Sequence, residues 1–171
     1  MDHFALPQDE LVLARQNGTL QRNFQGYSTH RQCDLISLGV SGFGSIGNMF
    51  AQNAVSTIDY EQIIESGELP IKKGLLVDDD DLIRAAVIQD LMCYDSLSYD
   101  EFGKKHGVDF REYFASEIEK LNVLEDDGLI ELGDDGINIT PSGRLLLRNI
   151  AMTFDRYIDL EENDNRFSKA I

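Results

Sequence analysis

The sequence predicts an α+β protein, mostly helical in its C-terminal part, and three observations carry that prediction. Apolar residues recur at helical spacing through several segments after residue 78. A Gly-Asp-Asp-Gly run, Gly133 to Gly136, separates two short apolar runs as a β-hairpin turn would. Charge is also unevenly spread: residues 1–77 carry 5 basic and 8 acidic groups, whereas residues 78–171 carry 10 and 23. With Gly67 and Pro70 at the shift, a boundary is expected at about residue 70, giving units of 1–70 and 71–171.

In the first unit, Pro7 followed by Asp9 and Glu10 suits a first helical turn that runs to Gly18. The apolar run from Asp34 to Val40 reads as a buried strand, followed by the glycine-rich Gly42-Phe43-Gly44-Ser45-Ile46-Gly47. Thr57 is placed to cap a helix carrying Tyr60, Ile63 and Ile64.

In the second unit, Asp78 to Asp81 precede a helix with Ile83, Val87 and Leu91 four residues apart, where acids complement the helix dipole. Ser98 and Glu101 form a capping-box pattern, and Gly107 stops that helix. Asp109 opens a third helix with Phe110, Phe114, Ile118 and Leu121 on one face. After the hairpin, whose glycines and aspartates suit positive φ angles, Thr140 and Pro141 start a final helix with Leu146, Leu147, Ile150 and Phe154. Three helices, a hairpin and a helix is the order of a winged-helix domain.

Several function classes are excluded by charge and pattern. The formal net charge of −16 repels phosphate backbones, and the candidate recognition helix from Asp109 to Lys120 is itself net acidic, so neither DNA nor an anionic membrane is a suitable partner. No apolar run reaches membrane-spanning length, and MDHFALPQDE has neither region of a secretory signal, so a cytoplasmic location is expected. Cys33 and Cys93 stand too far apart to form a cluster or zinc site by themselves, and His3, His30 and His106 are scattered; no catalytic or metal-ligating set is expected on this chain. The Gly42 to Gly47 spacing matches G-x-G-x-x-G, but residues 48–56 offer no second parallel strand for a dinucleotide fold. Asn23-Phe24-Gln25-Gly26-Tyr27 instead puts an amide beside two aromatics, which suits contact with a ring and its polar edge.

Taken in order, Met1-Asp-His-Phe-Ala5, Arg22-Asn-Phe-Gln-Gly-Tyr27, Leu38-Gly-Val-Ser41 with Ile46-Gly47, Asp127-Gly-Leu129, Gly143-Arg-Leu-Leu146, Arg148-Asn-Ile150 and Arg166-Phe-Ser168 resemble the C-terminal part of oxygen-independent coproporphyrinogen III oxidases. That resemblance implies a radical SAM enzyme of anaerobic haem biosynthesis, which oxidatively decarboxylates coproporphyrinogen III to protoporphyrinogen IX. S-adenosyl-L-methionine (SAM) and a 4Fe-4S cluster are its cofactors. The family's CxxxCxxC cluster motif is absent here, so the resemblance implies a fragment, inactive alone, whose partner is the missing N-terminal radical SAM half. It further implies that residues 1–70 are the edge of a radical SAM (β/α) barrel. By position it maps Phe24, Gln25 and Phe43 to SAM. Arg22, with Arg31 near it, is expected to meet the substrate's carboxylates, and Tyr27 to line the same region. Two other classes stay open: an acidic winged-helix module that binds another protein, and a haem-handling radical SAM relative without oxidase activity.

Overall fold

The computed structural model describes residues 5–23, 26–30 and 33–158. They divide into two compact units, one up to Leu82 and one from Ile83.

In the first unit, α1 (Glu10–Gln16) begins where the Leu11 N–H donates to Asp9 Oδ1 at 2.9 Å. The chain leaves this helix through Gly18 at φ +70°. Strands β1 (Gln21–Asn23) and β2 (Gly26–Ser28) pair antiparallel, with Arg22 opposite Tyr27. A second sheet has the order β3 (Phe43–Ile46), β4 (Met49–Asn53), β5 (Ile71–Leu76), antiparallel throughout. Strand β5 forms an edge of this sheet among the described residues, and all six of its residues are exposed. Helix α2 (Thr57–Glu65) bridges β4 and β5 in sequence, and its cap is Ser56 rather than Thr57, with the Asp59 N–H donating to Ser56 Oγ.

One further expectation for this unit is corrected. Residues 34–40 do not form a buried strand: one bridge pairs Leu35 with Ser45, and exposure alternates along the segment. The glycine-rich stretch lies on β3 and turns through Gly47, at φ +55°, into the antiparallel β4. A nucleotide loop needs a strand, a turn and a helix, and this is a hairpin.

In the second unit, α3 (Asp79–Cys93) is followed by β6 (Ser96–Ser98) and α4 (Tyr99–His106), the latter capped by Ser98 and ended by Gly107 at φ +72° as its sequence predicted. The third predicted helix is two: α5 (Phe110–Tyr113), capped by Asp109, and α6 (Ala115–Asp126). The break falls at Phe114, whose φ of −108° and ψ of 28° leave the helical region while its ring is fully buried. Strands β7 (Ile130–Leu132) and β8 (Gly136–Ile139) form the hairpin, and β6 joins it in the order β6-β8-β7. A single 3-10 turn (Gly143–Leu146) then leads into α7 (Leu147–Met152).

The hairpin's glycines act differently from the expectation. Neither Gly133 nor Gly136 adopts positive φ. A Cβ on Gly136 would instead overlap the Leu97 carbonyl oxygen, so this glycine is what lets β8 lie against β6. Gly143 plays the same part against the Leu129 carbonyl.

The hydrophobic core belongs to this second unit. Val87 and Leu91 from α3, Phe102, Phe110 and Leu121 from the next three helices, Phe114 from the break between α5 and α6, Ile130 and Ile137 from the sheet, Ile150 from α7 and Phe154 just beyond it form one cluster. Phe110, Phe114 and Phe154 pack with centroids 4.8 to 6.3 Å apart and tilted or edge-on, which aromatic quadrupoles favour. Arg84 enters this cluster: its Nη1 donates to Glu117 Oε1 at 2.8 Å and to the Phe154 carbonyl at 3.2 Å.

Candidate functional site

Of the sequence-predicted site residues, Arg22 and Tyr27 lie on one piece of sheet in the first unit and Phe43 on another. The β1–β2 hairpin carries the first group. Arg22 and Tyr27 are directly opposed, and the guanidinium carbon lies 5.1 Å from the centre of the Tyr27 ring. Stacking of this kind fixes a flexible arginine in position. At the tip, Gly26 N–H donates to Asn23 Oδ1 at 3.1 Å. Phe24 and Gln25 join the two strands in sequence and lie outside the described residues, as does Arg31.

Phe43 is carried by the other sheet. Its ring stacks on Phe50 at 5.6 Å with an interplanar angle of 26°. Directly paired residues share a sheet face, so the register puts Phe43, Ser45, Phe50, Gln52, Lys73 and Leu75 on one side. Two offset rings bordered by amide and hydroxyl groups form a surface that suits a planar heterocycle. The space beside Gly42 and Gly44 is already filled. A Cβ on Gly44 would lie 2.9 Å from the Leu35 carbonyl oxygen, and one on Gly42 would lie 3.0 Å from the Ser37 side chain. These glycines admit the protein's own backbone and offer no phosphate cradle. The glycine motif contributes by placing β3. Among the described residues, no three His, Cys, Asp or Glu side chains converge as metal ligands.

A concavity of about 440 Å³ lies in the second unit between α6 and the hairpin, with Tyr99, Arg111, Ile118, Asn122, Glu125 and Leu132 among its lining residues. Arg111 Nη2 closes one end by donating to the Asp134 carbonyl at 2.9 Å, with its guanidinium 5.4 Å from the centre of the Tyr99 ring. Burial pushes the Tyr99 hydroxyl above its ordinary value, and Arg111 partly opposes the shift. The Leu132 N–H donates to Glu125 Oε1 at 2.7 Å. Sequence reasoning did not single out this group, whose arginine and acids are engaged in holding the hairpin to the helices.

Residues 77–146 match the HemN C-terminal domain, which overlaps most of the second unit. Over its whole length the chain is similar to oxygen-independent coproporphyrinogen III oxidases. It is 50% identical to that of Pseudomonas aeruginosa and 40% identical to that of Escherichia coli, covering all of this chain and 37% of each relative. The solved structure of coproporphyrinogen III oxidase (HemN) from Escherichia coli, described as a radical SAM enzyme, superposes with a TM-score of 0.84 at 42% identity, over 92% of this chain and 36% of that one. The resemblance drawn from the ordered motifs is thereby borne out. The chain spans little more than a third of these relatives' length.

Proposed function

We propose that this chain is the C-terminal part of a SAM-dependent enzyme that oxidatively decarboxylates coproporphyrinogen III to protoporphyrinogen IX in anaerobic porphyrin and haem biosynthesis, and that it is inactive without the remaining length of its relatives. The observation that carries this reading is the match along all 171 residues to oxidases of that name, at up to 50% identity. Residues 1–70 then adjoin the radical SAM barrel, and residues 71–171 form a winged-helix-like domain built from α3 to α6, the β7–β8 hairpin and α7. The winged helix serves as a covering module; its acidic surface gives nucleic acid nothing to bind. A cytoplasmic location accompanies this role.

SAM with a 4Fe-4S cluster supplies the hydrogen-abstracting radical chemistry. This chain's residues position the reactants and exclude water. Phe43, with Gln25 and Phe24, holds SAM: the rings give stacking surface and the glutamine amide bonds a polar edge. Arg22, steadied on Tyr27, receives a propionate carboxylate of the substrate through its fork of N–H donors. Arg22 and Arg31 are the cations nearest the motif in sequence.

The test is reconstitution. The chain is combined with the cluster-bearing remainder, iron, sulfide, SAM, reductant and coproporphyrinogen III, and protoporphyrinogen IX is measured. Product that needs both polypeptides and falls with Gln25→Ala supports the proposal. A stable complex with an intact cluster and no product points to a radical SAM relative with another activity.

A further inference from the structure

Residues 34–41 form a rib that is fastened at both ends and in the middle while its aliphatic side chains face outward. Leu35 and Ser45 exchange backbone hydrogen bonds at 2.7 and 2.8 Å, and the Ser41 N–H donates to the Ala54 carbonyl at 2.8 Å. Between them, the buried Asn53 donates from Nδ2 to the Gly39 carbonyl at 2.9 Å, and the Gly39 N–H donates to Tyr60 Oη at 3.1 Å. Asp34 Oδ1 accepts from the Gly47 N–H at 2.8 Å. Ser41 is held at φ +57°, where residues other than glycine are uncommon, and the rib accepts it.

Leu35, Ser37 and Gly39 turn inward, and Ile36, Leu38 and Val40 turn out at 73%, 89% and 36% exposure. A single exposed aliphatic residue needs no explanation, but three in period two on a pinned segment do. Their surroundings have the same character. Residues 35–58 contain no Asp, Glu, Lys, Arg or His, in a chain where 27% of residues are charged. Among the described residues, the first unit buries Ala14, Leu20 and Ala54 and no larger apolar cluster, and the core cluster lies in the second unit. Apolarity with depletion of charge is the composition of a permanent interface.

We propose that the rib of residues 34–41, with Ile36, Leu38 and Val40 foremost, is the seat for the polypeptide that makes up the remaining length of the relatives, which packs an uncharged apolar surface against it. The inference rests on the functional reading above, and the relatives' length supports this occupant: each of the first three is matched over only 37 or 38% of its sequence. A second copy of this chain would add nothing to that shortfall. It would also bring together two chains with a net charge of −16 each.

The experiment is co-expression of the 171-residue chain with a tagged polypeptide corresponding to the rest of the Pseudomonas aeruginosa relative, reading recovery of the chain on the tag and its mass by light scattering. The expected result is one-to-one recovery of the parent chain, a fall of at least tenfold for Ile36→Asp/Leu38→Asp, and no change for Leu145→Asp, an equally exposed site in the second unit. Hydrogen exchange at Gly39 and Ser41 in the isolated variant, unchanged from the parent, separates loss of the seat from loss of fold. Equal recovery of parent and double variant overturns the seat and leaves the functional reading intact. No recovery of the parent overturns both, and a dimer of the parent that the double variant abolishes shows that a second copy occupies the rib.

Discussion

Arg84 and Glu117 meet at 2.8 Å inside the second unit, joining α3 to α6 thirty-three residues apart in sequence. The pair is bonded on every side that the structure records: Glu117 Oε2 accepts from Ser116 Oγ at 2.8 Å, and the Arg84 guanidinium lies 5.5 Å from the centre of the Phe114 ring. Removing one partner leaves the other charge desolvated, which costs more than the pair contributes. Arg84→Met is therefore expected to destabilise the second unit by about 3–5 kcal/mol. Arg84→Met with Glu117→Leu is expected to recover most of that, because no orphan charge remains. Urea denaturation of both variants checks the expectation.

The same pair has a pH signature. Burial pushes the Glu117 carboxyl up, but hydrogen bonds from Arg84 and Ser116 outweigh it and leave the group below its ordinary value. A carboxyl lowered on folding stabilises the protein above its unfolded value, and that contribution disappears as pH falls through the folded value. Stability of the second unit should thus decline in the acid range below the ordinary carboxylate value. Glu117→Gln should flatten that part of the profile, as followed by melting temperature against pH.

Gly136 and Gly143 are spacing residues, and their replacement tests that. An added methyl must displace the Leu97 or Leu129 backbone, so Gly136→Ala and Gly143→Ala are each expected to destabilise by about 1–3 kcal/mol or more. Gly128→Ala is the comparison: it meets no atom within 4 Å but must hold φ +70°, and about 1–2 kcal/mol is expected from the left-handed backbone alone. Calorimetry of the three variants separates crowding from conformational strain.

Helices in the second unit were legible because their signals are local. Ser98 before Glu101, Asp109 at the opening of its helix and glycine at 107 each act within one turn, and the structure shows each cap where it was read. The break at Phe114 was not legible, since it follows from packing against Phe102, Phe110 and Phe154, and the periodicity runs through it unchanged. In the first unit the β1–β2 pairing and strand β4 were missed because short strands depend on distant partners. The Asp34 to Val40 run misled for a related reason: an apolar run signals burial, and here half of its side chains face outward. Of the site, the Arg22–Tyr27 stack came from neighbours in one motif, whereas the Phe43–Phe50 stack needed a strand that the sequence did not announce.

Asn53 links the rib to the sheet, and its loss should be read locally. With Asn53→Ala, the Gly39 carbonyl and the longer contact to the Ser37 carbonyl at 3.5 Å lose their donor. Exchange protection at Gly39 and Ser41 should fall by about 1–3 kcal/mol, the range for an orphaned buried acceptor. Amides of Val87 and Leu91, in the separate core, should be unaffected in hydrogen-exchange mass spectrometry.

Strand β5 carries Lys72 and Lys73 side by side on an edge of its sheet among the described residues, with Lys73 paired to Gln52 and Lys72 at the register shift beside it. An apolar edge of this kind would otherwise template growth by strand addition, copy upon copy, toward fibrils. Two like charges brought into register at every joint oppose that growth. The molecule thereby resists self-assembly along β5.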